Sequence, residues 1–412
     1  MKPLGPIPAG FAVSDGELVI AGCKASALVA QAGQTPQFVY DGALVAQRIA
    51  QVRTAMPPGL GLHYAIKANP FAPLLAMMAP LVDGFDIASA GELTLAQVAG
   101  MAAARISFAG PGKRDAELAS AIAAGATLNL ESVREAERAL HVANRLGVTP
   151  RLAIRVNPDF ALGGSGMKMG GGAKPFGLDA QEVPALARRL VAAGCDWRGL
   201  HVYAGSQSLD AAAIGAAQAA TIALAGRIGE QAGVPIPACN LGGGFGIPYF
   251  AADRPLDLGA VGAALGEALE RRPTELAKTA FSIELGRYLV GEAGVYLTRI
   301  IERKESRGAV FLITDGGLHH QLAASGNFGT VIRRNYPVAI ATRMDWPVTE
   351  EASIVGCLCT PLDVLAERGG FPRADEGDLV AVFCAGAYGA SASPMAFLGH
   401  GPAQELLIAP ER

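Results

Sequence analysis

The sequence predicts an α/β chain, a closed (β/α)8 (TIM) barrel joined to a second, β-rich domain drawn from both ends of the chain. Three observations predict it. From about residue 36, short β-rich runs alternate with alanine-rich runs of helical periodicity. About eight such units fill roughly 250 residues, which suits a closed barrel better than an open doubly wound sheet. After about residue 288 the text changes to strands with few helices, the character already shown by residues 1–35.

The elements follow in order. The first 35 residues carry the strand-like GELVIAG. The barrel candidates are QFVY, LHYAIKA, GFDIAS, ISFAG, ATLNLES, RLAIRVN, WRGLHVYAG, ACNLGGG and FSIEL. Helical runs such as SVREAERALHVANRLG and DAQEVPALARRLVAAG separate most of them, so parallel pairing by right-handed crossovers is expected. The later strands are GVYLTRIIERKES, GAVFLITDGG, PVAIATRM, EASIVGCLC, DLVAVFCAG and QELLIAP. Residues 36–287 are therefore read as the barrel, and 1–35 with 288–412 as one discontinuous β domain.

Composition narrows the function. Of 412 residues 51% are hydrophobic and 17% charged, which excludes a disordered or fibrous chain. The 34 basic and 37 acidic residues are interspersed, leaving no basic face for nucleic acid, so a small molecule or another protein is the expected partner. Six scattered cysteines and a start without a signal-peptide core read as reduced and cytoplasmic. A mean hydropathy of +0.31 raises the membrane question. The charge-free run 379–404 is broken by Gly, Ser, Pro394 and His400, so it reads as a strand and a loop, and no membrane span is expected.

Catalytic groups of such barrels sit at the C-terminal ends of strands. Lys67 ends the apolar LHYAIKANP; desolvation there would make it a good nucleophile toward a carbonyl, the alternative being a lysine that snorkels at a strand end. In FSIELGRYLV, Glu284 and Arg287 flank Gly286, a carboxylate and a guanidinium suited to a ring nitrogen and a phosphate, or to a plain ion pair. LGGGFGIPY, with Gly242, Gly243, Gly244 and Gly246, offers bare backbone N–H groups to an anion without being a dinucleotide fingerprint. Ser206 and Tyr388 are further hydroxyl sources. The loop 163–177 is either a surface excursion or a ligand lid.

Cys357 and Cys359 make a poor zinc signature, and no metal is expected. Cys359 reads either as a thiol that moves a proton or as an ordinary buried cysteine. Taken as neighbours on a strand, His319 and His320 would point to opposite faces and share no metal, and their role stays open.

YAIKAN, FDIASAGEL, LNLES, AIRVNPD, GLHVYAGSQ, NLGGGFGI, IELGRYLV, TDGG, GCLCTPLD and GAYGAS, in this order over about residues 36–390, together resemble the fold-type III pyridoxal-phosphate decarboxylases, among them the diaminopimelate and ornithine decarboxylases. The resemblance implies an alanine-racemase-like barrel with a β domain, bound pyridoxal 5'-phosphate, an amino-acid-derived substrate, and a homodimer whose active sites draw on both chains. By position, Lys67 looks like the lysine that holds the cofactor and Glu284 like the partner of its ring nitrogen. Ser206, Gly243, Gly244, Gly286, Arg287 and Tyr388 look like the phosphate cradle. Asp86, Glu92 and Arg155 match positions that support the lysine and the ring. Cys359 looks like the cysteine given to the neighbouring subunit to govern protonation.

The departures from that family sharpen the reading. Tyr203 stands where a histidine commonly stacks on the ring, and EPGR has become ELGR. Thr360 stands where diaminopimelate and ornithine decarboxylases carry an acid for the distal amine, so a basic substrate is disfavoured. Thr360, Asp363 and Arg333 are the substrate candidates. SGMKMGGGAKPFG, DGGLHH, IRRNYP and GAYGASASPMAFLGH resemble a narrower branch, the exosortase-associated decarboxylases of exopolysaccharide loci and the glutamyl-carrier-protein decarboxylase of butirosin synthesis. In the latter the distal carboxyl is a thioester on an acyl carrier protein, whose phosphate or acidic helix Lys168, Lys174, Arg333 and Arg334 could meet. The rivals are a diaminopimelate decarboxylase, an amino-acid racemase and a non-catalytic pyridoxal-phosphate protein.

Overall fold

The structure, a computed structural model, describes residues 1–164, 166–328 and 333–410; the side chains of residues 167 and 168 fall outside it. The chain divides into two compact units, Ile49–Ile247 with Leu256–Gly286, and Met1–Arg48 with Pro248–Pro255 and Arg287–Arg412.

The first unit is a closed barrel of eight parallel strands. They are β1 (Gly61–Ala65), β2 (Gly84–Ile87), β3 (Ile106–Phe108), β4 (Thr127–Leu130), β5 (Arg151–Asn157), β6 (Asp196–Val202), β7 (Ala238–Asn240) and β8 (Ala280–Leu285). Each pairs with the next, and β8 returns to β1 with Glu284 opposite His63. Four of the helices between them start where a side chain caps them: Ser89 accepts from Glu92 N, Ser132 from Glu135 N, Asp210 from Ala213 N and Asp257 from Ala260 N. Their buried faces are small, as in Ala136, Ala139 and Ala143 of Val133–Leu146, which lets the helices pack closely on the strands.

Among the described residues one helix, Ala211–Ala232, has the length and apolar composition of a membrane span. Half of that window is buried within the fold, and the helix packs on Val183–Ala192 and Leu258–Glu270, as a barrel helix does. The charge-free run after residue 379 is the buried strand Leu379–Val382 followed by turns.

The second unit is a mixed sheet centred on the long strand Gly294–Ser306. Its core gathers Leu18, Ile20, Leu28, Val39, Val295, Leu297, Leu379, Ala381 and Phe383. One sequence expectation is corrected here. QFVY does form a strand, Gln37–Asp41, but not the barrel's first. It runs antiparallel to Gly294–Leu297 and parallel to Gln404–Ile408 in this sheet. An apolar strand followed by a helix has the same local pattern in either setting, so only long-range pairing separates the two. The remaining eight candidates make the barrel. The strand Val364–Phe371, with Arg368, Gly369 and Gly370 in it, escapes the sequence pattern.

Candidate active site

At the C-terminal ends of the barrel strands, the single turn Ile66–Ala68 continues β1 and presents Lys67. Its Nζ lies 5.3 Å from the centre of the Tyr203 ring, just past the end of β6. Glu284, on β8, is buried; its Oε2 is 2.7 Å from His201 Nε2 and accepts from Asn240 Nδ2 at 3.2 Å. Burial pushes the Glu284 carboxyl up, but His201, then Lys67 and Arg155, overcome this and hold it at about 2. The group is therefore an anion at neutral pH, and water is kept from it.

Asn240 serves two partners, since its Oδ1 accepts from Gly242 N at 2.8 Å and so ties the glycine run to Glu284. Close approach explains the glycines. A Cβ on Gly243 would lie 1.9 Å from the Glu284 carbonyl oxygen, and one on Gly244, at φ +84°, 2.5 Å from the Gly205 carbonyl. Ser206 follows Gly205, and the pair is bridged by backbone hydrogen bonds to residues 167 and 168 of the glycine-rich loop. Gly286 leaves room for Ala68, beside Lys67.

The supporting charges form two neighbouring pairs. Arg155 donates to Glu131 at 2.8 Å and lies over the Phe176 ring. Lys113, almost wholly buried, is 2.7 Å from Glu135 and also donates to the carbonyls of Gly110 and Asn129. Glu131 further accepts from Gly110 N and Gly177 N, which fastens the end of the glycine-rich loop. Asp86 faces His63 at 3.3 Å; burial lowers that imidazole, but Asp86 and then Glu284 and Asp83 leave it raised. Burial raises Glu92, against its hydrogen bond from Ala88 N and the charge of Lys67. The sequence reading missed His201, Lys113, Glu131, Glu135 and Asn240. His201 had a signal, because it lies two residues before Tyr203, which directly follows the strand, and so faces the same way. A cavity of about 300 Å³ at the opposite, N-terminal ends of the strands, around Gly61, Thr127 and Ala280, holds none of the predicted residues.

In the second unit Arg287 donates to the Tyr249 hydroxyl at 2.7 Å and lies 4.8 Å from the Tyr388 ring centre. Burial works against its charge, but Tyr249, Tyr388 and Tyr336 more than compensate and raise it further. Tyr388 holds φ at 55°, a conformation rare for an aromatic residue. Cys359 is exposed and Thr360 half-buried, in the loop between strands Glu350–Val355 and Val364–Phe371. Asp363 is buried, its two carboxylate oxygens accepting from Leu318 N at 2.6 Å and Leu358 N at 2.9 Å. Arg333 reaches the Leu362 carbonyl, and Arg334 lies over the Phe250 ring. The Lys168 side chain is outside the described residues.

The expectation for the two histidines is corrected. They lie in a turn after strand Ala309–Thr314, not on a strand, and their rings are 3.8 Å apart between centres.

Residues 43–291 match the family model described as pyridoxal-dependent decarboxylase, pyridoxal binding domain. The L-glutamyl-[BtrI acyl-carrier protein] decarboxylase of Niallia circulans is 39% identical over 91% of this chain and 89% of its own. The diaminopimelate decarboxylase of Archaeoglobus fulgidus is 31% identical over 98% and 94%. Among solved structures, the diaminopimelate decarboxylase of Helicobacter pylori complexed with L-lysine superposes with a TM-score of 0.80 at 25% identity, covering 90% of this chain and 91% of that one.

Proposed function

This chain belongs to the pyridoxal-dependent decarboxylases, and from that premise we propose that its substrate is an L-α-amino acid whose distal end carries no free ammonium, a glutamyl thioester on an acyl carrier protein being the leading candidate. The activity itself, pyridoxal-phosphate-dependent removal of an amino acid's α-carboxylate, is that of its relatives. The observation that carries the substrate reading is Thr360. A hydroxyl directly after Cys359 cannot neutralise an ammonium group. The carrier-protein relative at 39% identity supports it.

The residues present fit pyridoxal phosphate. The donor set of lysine, carboxylate, arginine and glycine amides suits an aldehyde, a ring nitrogen and a phosphate. His201 Nδ1 and Arg287 Nε are buried without hydrogen-bond partners among the described residues, and the glycines leave room that a Cβ would fill. We assign Lys67 to hold the aldehyde carbon and Glu284 the ring nitrogen, with Asp86 and Arg155 in support. Ser206, Gly243, Gly244 and Gly286 of the barrel, with Arg287 and Tyr388, are assigned to the phosphate.

When bound, the cofactor supplies the electron sink for the pair left as carbon dioxide departs. The chain supplies the rest. His201 and Asn240 keep Glu284 ionised and aimed. Tyr203 offers a ring face beside Lys67. Cys359, or Lys67, returns a proton to the α-carbon. We further infer a cytoplasmic homodimer with shared sites, and a carrier-protein contact through Lys174, Arg333 and Arg334.

Carbon dioxide release is measured with lysine, ornithine, diaminopimelate, glutamate and a glutamyl thioester of a carrier protein. The thioester should exceed the free amino acids. Diaminopimelate turned over well above the rest would sink the use made of Thr360 and favour the second reading, diaminopimelate decarboxylation, which the 31%-identical relative keeps open.

A further inference from the structure

Outside the groups assigned above, the second unit gathers three metal-ligating side chains that lie far apart in sequence. One ligand atom each from His319, Cys357 and His400 lies within 4.8 Å of the other two. Cys357 Sγ is 3.8 Å from His400 Nδ1 and 4.0 Å from its Nε2. The rings of His319 and His400 are 5.2 Å apart between centres. A tetrahedral zinc ion, at ~2.3 Å from sulfur and ~2.0 Å from nitrogen, sets a sulfur and a nitrogen ligand about 3.5 Å apart. The cysteine edge of the cluster is already near that length.

His319 supplies the independent indication. Its side chain has no solvent exposure, yet among the described residues neither ring nitrogen has a hydrogen-bond partner. Buried polar groups of native proteins are almost always paired. We propose that His319, Cys357 and His400 bind one thiophilic divalent cation, zinc in the first instance, with a fourth position open to water or another donor.

The surroundings suit an ion. Asp363 and Asp315 lie close to Cys357, acidic surroundings that attract a cation. Binding exchanges the thiol's proton for the metal, one proton leaving to solvent for each ion taken up.

The backbone that carries the ligands is fixed from behind. Asp363 joins the amides of Leu318 and Leu358, each next to a ligand. His320 Nε2 donates to the carbonyl of Gly401, next to His400, while its Nδ1 accepts from the Tyr296 hydroxyl. Cys357 stands two residues before Cys359, so a bound ion would restrain the loop of the proposed proton donor.

The test uses the full chain loaded with cofactor, stripped of metal, and titrated with Zn2+ and Co2+ in the absence of amino acid. One tight equivalent per chain, the visible bands of tetrahedral cobalt and about one proton released per ion are expected. Cys357→Ser should weaken binding ~100-fold or more, and so should His400→Ala, whose exposed side chain can be removed without disturbing the fold. Cys359→Ser should bind as the parent does. Failure to bind an equivalent overturns the proposal, as does binding that survives both Cys357→Ser and His400→Ala, or that depends on Cys359 instead.

Discussion

Replacing His201 with alanine tests how the barrel keeps a carboxylate charged in its interior. An isolated glutamate at 4.5 falls to about 2 at Glu284. At about 1.4 kcal/mol for each tenfold in proton affinity, that is about 3 kcal/mol of folding stability. It matches the ~3–5 kcal/mol lost when one partner of a buried pair is removed. The sign is fixed by the depressed value. This stability is complete above about pH 5 and is lost as pH falls toward 2. Without His201 the carboxyl loses its largest opposing influence and rises. Urea denaturation is followed by the fluorescence of Trp197, which begins the strand that carries His201, in a Trp346→Phe background, since the chain has two tryptophans. The parent should exceed His201→Ala by about 3 kcal/mol at pH 7, and the gap should close toward pH 3. A gap below about 1 kcal/mol, or one that stays constant with pH, would refute the reasoning.

Three further outcomes are expected. Lys67→Ala should abolish the cofactor adduct that borohydride fixes to the chain, read as protein-bound pyridoxyl by mass; a fixed adduct at another lysine would remove Lys67 from its role. Gly243→Ala forces a Cβ against the Glu284 carbonyl, so cofactor content after dialysis should fall at least ~tenfold, a shift of about 1.4 kcal/mol; full retention would show that the cradle does not need the close approach. Asp363→Asn keeps one acceptor where two amides now donate. It should cost about 1–3 kcal/mol in chemical denaturation, and no change would mean that the two segments are held by other contacts.

Much of this arrangement could be read from the chain. A charged residue at the end of an apolar strand is expensive to bury, which is why Lys67 and Glu284 stand out without a structure. The glycine run betrays a close approach because no other residue tolerates it. His201 is legible as well, since strand alternation sets it on the same face as the position of Tyr203, two residues on. Lys113 and Glu135 give no such signal, since a loop lysine and a glutamate in a helical run read as solvated surface until the fold buries them. The cluster of His319, Cys357 and His400 was illegible for another reason. Its members come from three separate segments, two of which follow the paired strands Ala309–Thr314 and Glu350–Val355 and are joined by the Asp363 carboxylate.

The strand Gln37–Asp41 lies between Gly294–Leu297 and Gln404–Ile408, and this constrains the order of events during synthesis. Everything needed to close the barrel lies between residues 49 and 286, so that unit can condense while translation continues. The sheet cannot, because an early strand must wait for two partners, one of them made more than 360 residues later. Such non-local pairing is slow and leaves an apolar edge exposed in the interval. Truncation before residue 404 should therefore leave an intact barrel and an aggregation-prone remainder.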